Sequence, residues 1–140
     1  MSLTIETRYG PAELRVLAHG GVSVIYKSPI IINRVEYRSV QAWHEERYGR
    51  LSAEVSGYRG RMEDLTASAR QALKEELERL REQYASPAAL QSARRAVLEA
   101  RVDRAAREVQ DAEAKWQAAL ADLEAASAAL AEHPALDGAA

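Results

Sequence analysis

Apolar and polar residues alternate along the first part of the chain, which is the pattern of β-strands that bury one face. Three runs show this alternation, at residues 3–9, 14–18 and 22–26. Gly10-Pro11 separates the first two runs, and His19-Gly20-Gly21 forms a short loop between the second and the third. Alternating runs joined by short glycine-containing loops predict antiparallel hairpins.

An apolar β-branched run, Ile30-Ile31-Ile32, adds a further strand. Asn33-Arg34 has the length of a tight hairpin loop, and Asn tolerates the left-handed backbone that such a loop requires. The residues from Val35 onward then return as the paired strand. We therefore predict a small antiparallel sheet of three or four strands over residues 1–39, which needs a covering element to be stable.

Beyond this sheet, apolar residues recur at the spacing of one face of an α-helix. The proline-free stretch that follows predicts a first long helix over about 40–84. A bend is expected between Gly49 and Gly60, because glycine weakens a helix interior. The apolar positions expected at an interface are Val55, Tyr58, Met62, Leu65, Leu73 and Leu77.

A second helix carries the most regular pattern in the chain. Ser86 suits a helix N-cap and Pro87 the first helical position, so a turn is expected at 85–87 and the helix at about 87–132. Its apolar residues repeat at alternating intervals of four and three, which is a heptad pattern. The interface positions are Leu98, Val102, Val109, Trp116, Leu123 and Leu130, with alanines between them. Residues 134–140 are predicted to be a disordered tail.

The predicted fold class is α+β, with the small sheet followed by an antiparallel coiled-coil hairpin of the two helices over residues 40–133. Intermolecular pairing of the same stripes in a homo-oligomer is the alternative. Alanine buries little area per residue, so further protein is expected on the apolar seam, from another subunit or from a partner.

Composition narrows the choice of partner. The apolar fraction is 47%, but only 6% of the residues are aromatic and none is Phe, so alanine supplies much of it. The net charge of −2 argues against a general nucleic-acid binder, whose footprint is a basic face. Nucleic-acid binding through contacts between the helix arginines and phosphate is a further hypothesis, and the acidic residues between these arginines weaken it. These arginines are Arg94, Arg95, Arg101 and Arg104. We predict protein partners, in a homo-oligomer or a larger assembly.

Two absences bear on class and location. The chain has no cysteine, which removes disulfides, thiolate nucleophiles and cysteine zinc sites. No apolar run reaches the roughly 18 residues of a membrane span, and the N-terminus lacks the features of a signal peptide. We expect a protein without membrane contact, located in the cytoplasm, or in the virion if a phage encodes it.

Candidate chemistry is sparse. His44 and Glu45, with Tyr37 and Gln41, form a candidate pocket between the sheet and the first helix, since imidazole beside carboxylate can act as acid, base or metal ligand. Adjacent helical residues point about 100° apart, however, and the HExxH metal spacing is absent. We predict no catalytic residue, no metal site and no cofactor. A pocket that binds or processes a small molecule or nucleotide is the alternative function.

The segment SPIIINRVEYRSVQAW, residues 28–43, resembles the opening of the NADAR family of N-glycosidases. In that family an apolar strand, a turn and a Tyr-x-Ser/Thr stretch lead into a helix that begins with Glu-His. Tyr37 and Ser39 match the pattern, whereas Gln41 and Ala42 stand at the Glu-His positions. The resemblance implies chemistry on ribosylated nucleotides and bases, here without the acid and the imidazole.

The whole layout is similar to small uncharacterised proteins of phages and mobile elements from high-GC bacteria. Those proteins likewise carry a short strand pair followed by helices rich in Ala, Arg and Glu. This resemblance implies a provenance and no activity. Together with the long apolar seam, it favours a non-enzymatic structural or interaction protein that assembles through its helices, in concrete form a phage structural or accessory protein.

Overall fold

The computed structural model describes residues 2–61, 63–133 and 135. Within these residues it contains β1 (Ser2–Thr7), β2 (Gly10–Val16), β3 (Val22–Tyr26), β4 (Ile30–Ile32), β5 (Val35–Arg47), β6 (Arg50–Tyr58), α1 (Ala67–Tyr84) and α2 (Pro87–Glu132). The α+β class is confirmed, as are the N-terminal antiparallel sheet and the two helices after it. The described sheet has six strands, not three or four. The predicted tail at 134–140 lies outside the described residues, apart from Ala135.

The chain divides into two units, Met1–Val97 and Leu98–Ala140. The first unit, here named the sheet unit, contains the sheet, α1 and the beginning of α2. The second unit contains the remainder of α2.

The sheet is antiparallel throughout its described pairings, in the order β1-β2-β3-β5-β4, with β6 paired to β5. β5 is the central strand. Its first three residues pair with β4, and residues 41–43 pair with β3. The registers of β3 and β4 against β5 differ by one residue, so β4 continues the line of β3 after the interruption at residues 27–29.

Two tight turns close hairpins on β5. Asn33 and Arg34 both have left-handed φ, 53° and 66°, which confirms the two-residue loop between β4 and β5. Tyr48 and Gly49, with φ of 53° and 74°, form the same kind of loop between β5 and β6. This second loop was not predicted, because the spacing of apolar residues placed Tyr48 and Gly49 inside a helix.

The predicted helix over 40–84 is wrong in its first half, since the residues up to Tyr58 form most of β5 and all of β6. Burial in β5 follows a period of two at Val40, Ala42 and His44. Ser39 has a φ of 52°, and the pairing with β6 shifts between Arg38 and Gln41, so one extra residue enters the strand here. This β-bulge converts a spacing of two into a spacing of three, which resembles helical periodicity.

α1 covers one face of the sheet. Thr66 caps its N-terminus by accepting the Ala69 N–H at 3.2 Å, and the Thr66 hydroxyl lies 3.2 Å from the hydroxyl of the buried Tyr37. The apolar stripe of α1 packs into the same core as the inner side chains of the strands. The buried apolar residues of α1 are Ala69, Leu73, Leu77 and Leu80.

α2 begins at Pro87 and ends at Glu132, which coincides with the predicted bounds. Ser86 caps the helix by accepting the Ala89 N–H at 3.2 Å. No residue of α2 is buried. The predicted coiled-coil hairpin is therefore not confirmed, because α1 buries its stripe against the sheet and the α2 positions are exposed.

Candidate functional site

The four residues of the predicted pocket all lie on β5, but they do not converge. Tyr37 and His44 point into the core, whereas Gln41 is exposed and Glu45 lies on the face away from α1. Glu45 is engaged there by Trp43 Nε1–H at 3.1 Å and by Arg47 Nη2 at 2.7 Å, and these two hydrogen bonds hold the pKa of its carboxyl below its usual range. The alternation of the strand, together with the extra residue at Ser39, thus divides the predicted pocket between two faces of the sheet.

His44 is a buried hydrogen-bonding residue with two defined partners. The Val22 N–H donates to His44 Nδ1 at 3.0 Å, so this nitrogen carries no proton. Nε2 lies 2.6 Å from Glu78 Oε1 on α1, which assigns the ring hydrogen to Nε2. The His44 side chain has no exposed surface, whereas the Glu78 side chain is half exposed. The ring therefore joins β3 and β5 to the covering helix.

Glu78 also faces Arg81 one turn further along α1, at 3.5 Å. Partial burial raises the pKa of the Glu78 carboxyl, but the hydrogen bond with His44 and the charge of Arg81 outweigh that effect and hold the pKa below its usual range. Arg81 Nε in turn donates to the Gly20 carbonyl at 3.1 Å. Arg81 thus attaches the loop between β2 and β3 to α1, and Glu78 attaches β5 to α1 through His44.

The same loop approaches His44 closely at Gly21. A Cβ on Gly21 would overlap His44 Cβ and would lie 2.8 Å from His19 Cε1, so only glycine fits there. His19 Nδ1 accepts the Gly21 N–H at 3.1 Å, which gives His19 a local structural role. Arg94, which the phosphate-contact hypothesis included, donates from Nε to the Ala18 carbonyl at 3.2 Å.

A second polar contact fixes α1 at the turn between β1 and β2. Glu76 is buried, accepts the Arg8 N–H at 3.2 Å and pairs with Arg79 through both carboxylate oxygens. The Arg79 hydrogen bonds, together with the Arg8 N–H, hold the pKa of the Glu76 carboxyl below its usual range. Burial of Tyr26 raises the pKa of its phenol, and the nearby negative charge of Glu76 raises this pKa further.

An open groove of about 400 Å³ runs between α1 and β6. It is lined by Ala53 and by six polar or charged residues of both signs, namely Gln71, Lys74, Glu75, Glu78, Arg79 and Glu82. Among the residues that the structure describes, no cluster of three or more His, Asp or Glu side chains is placed to hold a metal ion. Two of these side chains take part in the docking of α1, since Glu78 contacts His44 and Arg79 holds the buried Glu76.

The predicted interface residues fall into two groups. Those of the predicted first helix lie in the sheet unit. Val55 is a core residue of β6, and Leu65 is a core residue of the segment before α1. Leu73 and Leu77 lie on the buried face of α1. Tyr58 is partly exposed at the end of β6. Met62 lies outside the described residues.

The second group forms an exposed surface on α2, here named the α2 stripe. It comprises Leu98, Val102, Ala105, Val109, Ala112, Trp116, Ala119, Leu123, Ala126 and Leu130. Its six large side chains are 57% to 74% exposed. In heptad notation the a positions, from Val102 to Leu130, carry the large side chains, and the d positions carry Leu98 followed by four alanines.

Glu76 and Glu78 were not predicted from the sequence. Their partners lie on strands far away in the sequence, so no local pattern identifies these contacts. The role of His44 had a detectable signal, because Val40, Ala42 and His44 follow the period of two of a strand.

No helix of the described residues is long and apolar enough to cross a membrane. Comparison with known protein families, with curated proteins and with solved structures finds no match to this chain.

Proposed function

We propose that the protein is a non-enzymatic structural or interaction protein that assembles through the α2 stripe. The observation that carries the proposal is the exposure of a regular heptad pattern over 33 residues, Leu98 to Leu130. Heptads of this length are typical of helices that pack against other helices. Contiguous exposed apolar patches of this kind mark interaction sites on soluble proteins.

The packing of the sheet unit supports an intermolecular role for the stripe. α1 is the helix that the sequence offered as the partner of α2, and its apolar face is already used against the sheet. Hydrogen bonds from α1 to Gly20, His44 and the Arg8 N–H hold it there. Releasing α1 to cover the α2 stripe would expose the core of the sheet, so the stripe needs another chain.

A scaffold role for the sheet unit agrees with the chemistry found there. Its buried polar residues His44 and Glu76 have their hydrogen-bonding partners within the fold. The concrete setting that we propose is a larger protein assembly, such as that of a phage particle or its accessory proteins, in which α2 joins subunits.

Solution mass tests the proposal, with Ala119→Lys and Ala121→Lys as a matched pair. Both alanines are exposed in the single chain, but Ala119 lies on the stripe and Ala121 on the opposite side of the helix. Light scattering is expected to give a multiple of 15.4 kDa for the parent and for Ala121→Lys. Ala119→Lys should be monomeric, because a lysine on the stripe places a charge in the contact.

A parent protein that stays monomeric at its highest soluble concentration would contradict self-assembly. Equal masses for the two lysine variants would instead remove the stripe as the contact surface. Circular dichroism provides the control, since both variants should keep the helix content of the parent.

A further inference from the structure

We infer that the partner on the α2 stripe is a second copy of this chain, whose α2 runs antiparallel with its midpoint between residues 110 and 111. This inference rests on the proposed function and adds the partner, its direction and its register. In this arrangement Val102 faces Ala119 of the second copy, and Trp116 faces Ala105.

Side-chain volume determines the direction. From residue 102 onward the a positions are all large and the d positions up to 126 are all alanine. A parallel pair places a against a and d against d, so layers of two tryptophans or two leucines would alternate with layers of two alanines. An antiparallel pair places a against d. Each layer from Val102 to Ala119 then combines one large and one small side chain, which keeps the helix separation uniform and fills the space between the helices, and a layer of Leu98 and Leu123 closes each end.

Charge determines the register and indicates a second copy. The g positions beside the stripe alternate in sign, in the order Arg101, Glu108, Lys115 and Asp122. Such a series is complementary to its own reverse. With the midpoint between 110 and 111, Glu108 meets Lys115 of the second copy and Arg101 meets Asp122. The twofold axis repeats both contacts, so four ion pairs of opposite sign flank the seam.

Shifting the register by one heptad replaces these attractive contacts between opposite charges with repulsive contacts between like charges. In the register that overlaps the whole stripe, Lys115 meets its own copy and Glu108 meets Asp122. Glu113, at an e position, also meets its own copy. That register covers Leu130 more fully, but it brings like charges together at each of these contacts. A parallel pair is unfavourable as well, because it places Glu108 beside Glu113 of the second copy.

Cysteine cross-linking between two variants tests direction and register. The chain has no cysteine, so each introduced thiol is unique. Val102→Cys and Ala119→Cys are purified separately, mixed and oxidised. The antiparallel register predicts a mixed disulfide between the two variants, identified by mass, and little cross-linking of either variant with itself. Val102→Cys mixed with Ala126→Cys is the control for the shifted register and should give little product.

The outcomes separate this inference from the proposed function. A monomer in solution overturns both. A dimer in which Val102→Cys cross-links with itself overturns the antiparallel direction and leaves assembly through α2 in place. A mixed disulfide with Ala126→Cys in place of Ala119→Cys overturns the register.

Charge reversal gives a second test whose sign depends on direction. Glu108→Lys converts two attractive contacts into two repulsive ones in the antiparallel pair, and it is expected to raise the dimer Kd by about tenfold. Glu108→Lys combined with Lys115→Glu should restore the parental Kd. In a parallel pair Glu108→Lys would relieve the repulsion with Glu113 and lower the Kd, so tighter association would overturn the inference.

Discussion

α1 and α2 both carry an apolar stripe of helical period, but they use it differently. The stripe of α1 is short and lies in the core, with Leu73, Leu77 and Leu80 at most 1% exposed. The stripe of α2 is longer and more regular, and its large residues are more than half exposed. A regular stripe therefore indicates that a helix packs against something, and it does not identify the covering surface.

The polar contacts explain why α1 and not α2 covers the sheet. α1 meets the strands through Thr66, Glu76, Glu78 and Arg81, each of which has a partner in the sheet or its loops. These contacts fix the position and rotation of the helix. α2 has large side chains on every second stripe position and alanine on most of the others, which suits a helical partner rather than a sheet.

The largest expected difference between the two helices is in how much a leucine-to-alanine substitution lowers the free energy of unfolding. Leu77→Ala should lower it by about 2–5 kcal/mol, because the substitution leaves a cavity under α1. Leu123→Ala, at an exposed position, should change it by less than about 0.5 kcal/mol at protein concentrations below the dimer Kd. Urea unfolding followed by the fluorescence of Trp43, in a Trp116→Phe background, measures the sheet unit in both variants. Equal losses would mean that the α2 stripe also contributes to the core.

A smaller loss of unfolding free energy is expected when Glu76, the buried carboxylate of α1, is replaced. Glu76→Gln should lower the free energy of unfolding at neutral pH by about 1 kcal/mol, because it weakens the contact with Arg79 while Gln still accepts the Arg8 N–H. The folded state holds the pKa of Glu76 below its ordinary value of 4.5, so the unfolded chain binds the proton more tightly. This stability is therefore present above pH 4.5 and is lost as the pH falls through the folded pKa.

The parent and Glu76→Gln should accordingly converge in stability under acid conditions. Urea unfolding at a series of pH values measures this, and Glu82→Gln on the exposed side of α1 serves as the control. A difference between the parent and Glu76→Gln that stays constant down to low pH would show that the ionised form of Glu76 contributes nothing to α1 docking.

The smallest expected effect concerns the α2 stripe itself. Trp116 is 62% exposed in the single chain, so covering it by a second copy should shift its emission to shorter wavelength. In a Trp43→Phe background, dilution through the dimer Kd should give a small red shift. The same dilution should leave Ala119→Lys unchanged. Emission that is independent of concentration in the parent, at a wavelength typical of exposed tryptophan, would contradict coverage of the stripe.

Local sequence signals were sufficient for several elements. The bounds of α2 follow from Ser86-Pro87 and the heptad pattern, and the turn at Asn33-Arg34 follows from its length and from the tolerance of Asn for positive φ. They failed at residues 40–58, because the bulge at Ser39 interrupts the period of two just before them. Tyr48-Gly49, flanked by alternating residues, was the overlooked signal of the hairpin between β5 and β6.

The functional features also divide into those that the sequence shows and those that depend on the tertiary structure. The α2 stripe is visible in the sequence because its residues repeat within one helix. The pairing of His44 with Glu78, 34 residues apart, is not visible there, because it depends on how α1 lies across β5. The four predicted pocket residues lie within nine positions of one another, but strand alternation together with the bulge at Ser39 sends Tyr37 and His44 to one face and Gln41 and Glu45 to the other.

The sequence by itself determined the class, the extent of α2, the turn at Asn33-Arg34 and the heptad pattern of the stripe, since each depends on residues within a few turns or one hairpin of one another. Only the tertiary structure decided that residues 40–58 are strands and that α1 covers the sheet while the α2 stripe stays exposed. These outcomes depend on pairing and burial between distant segments, whose free energy outweighs the weak local preference for helix.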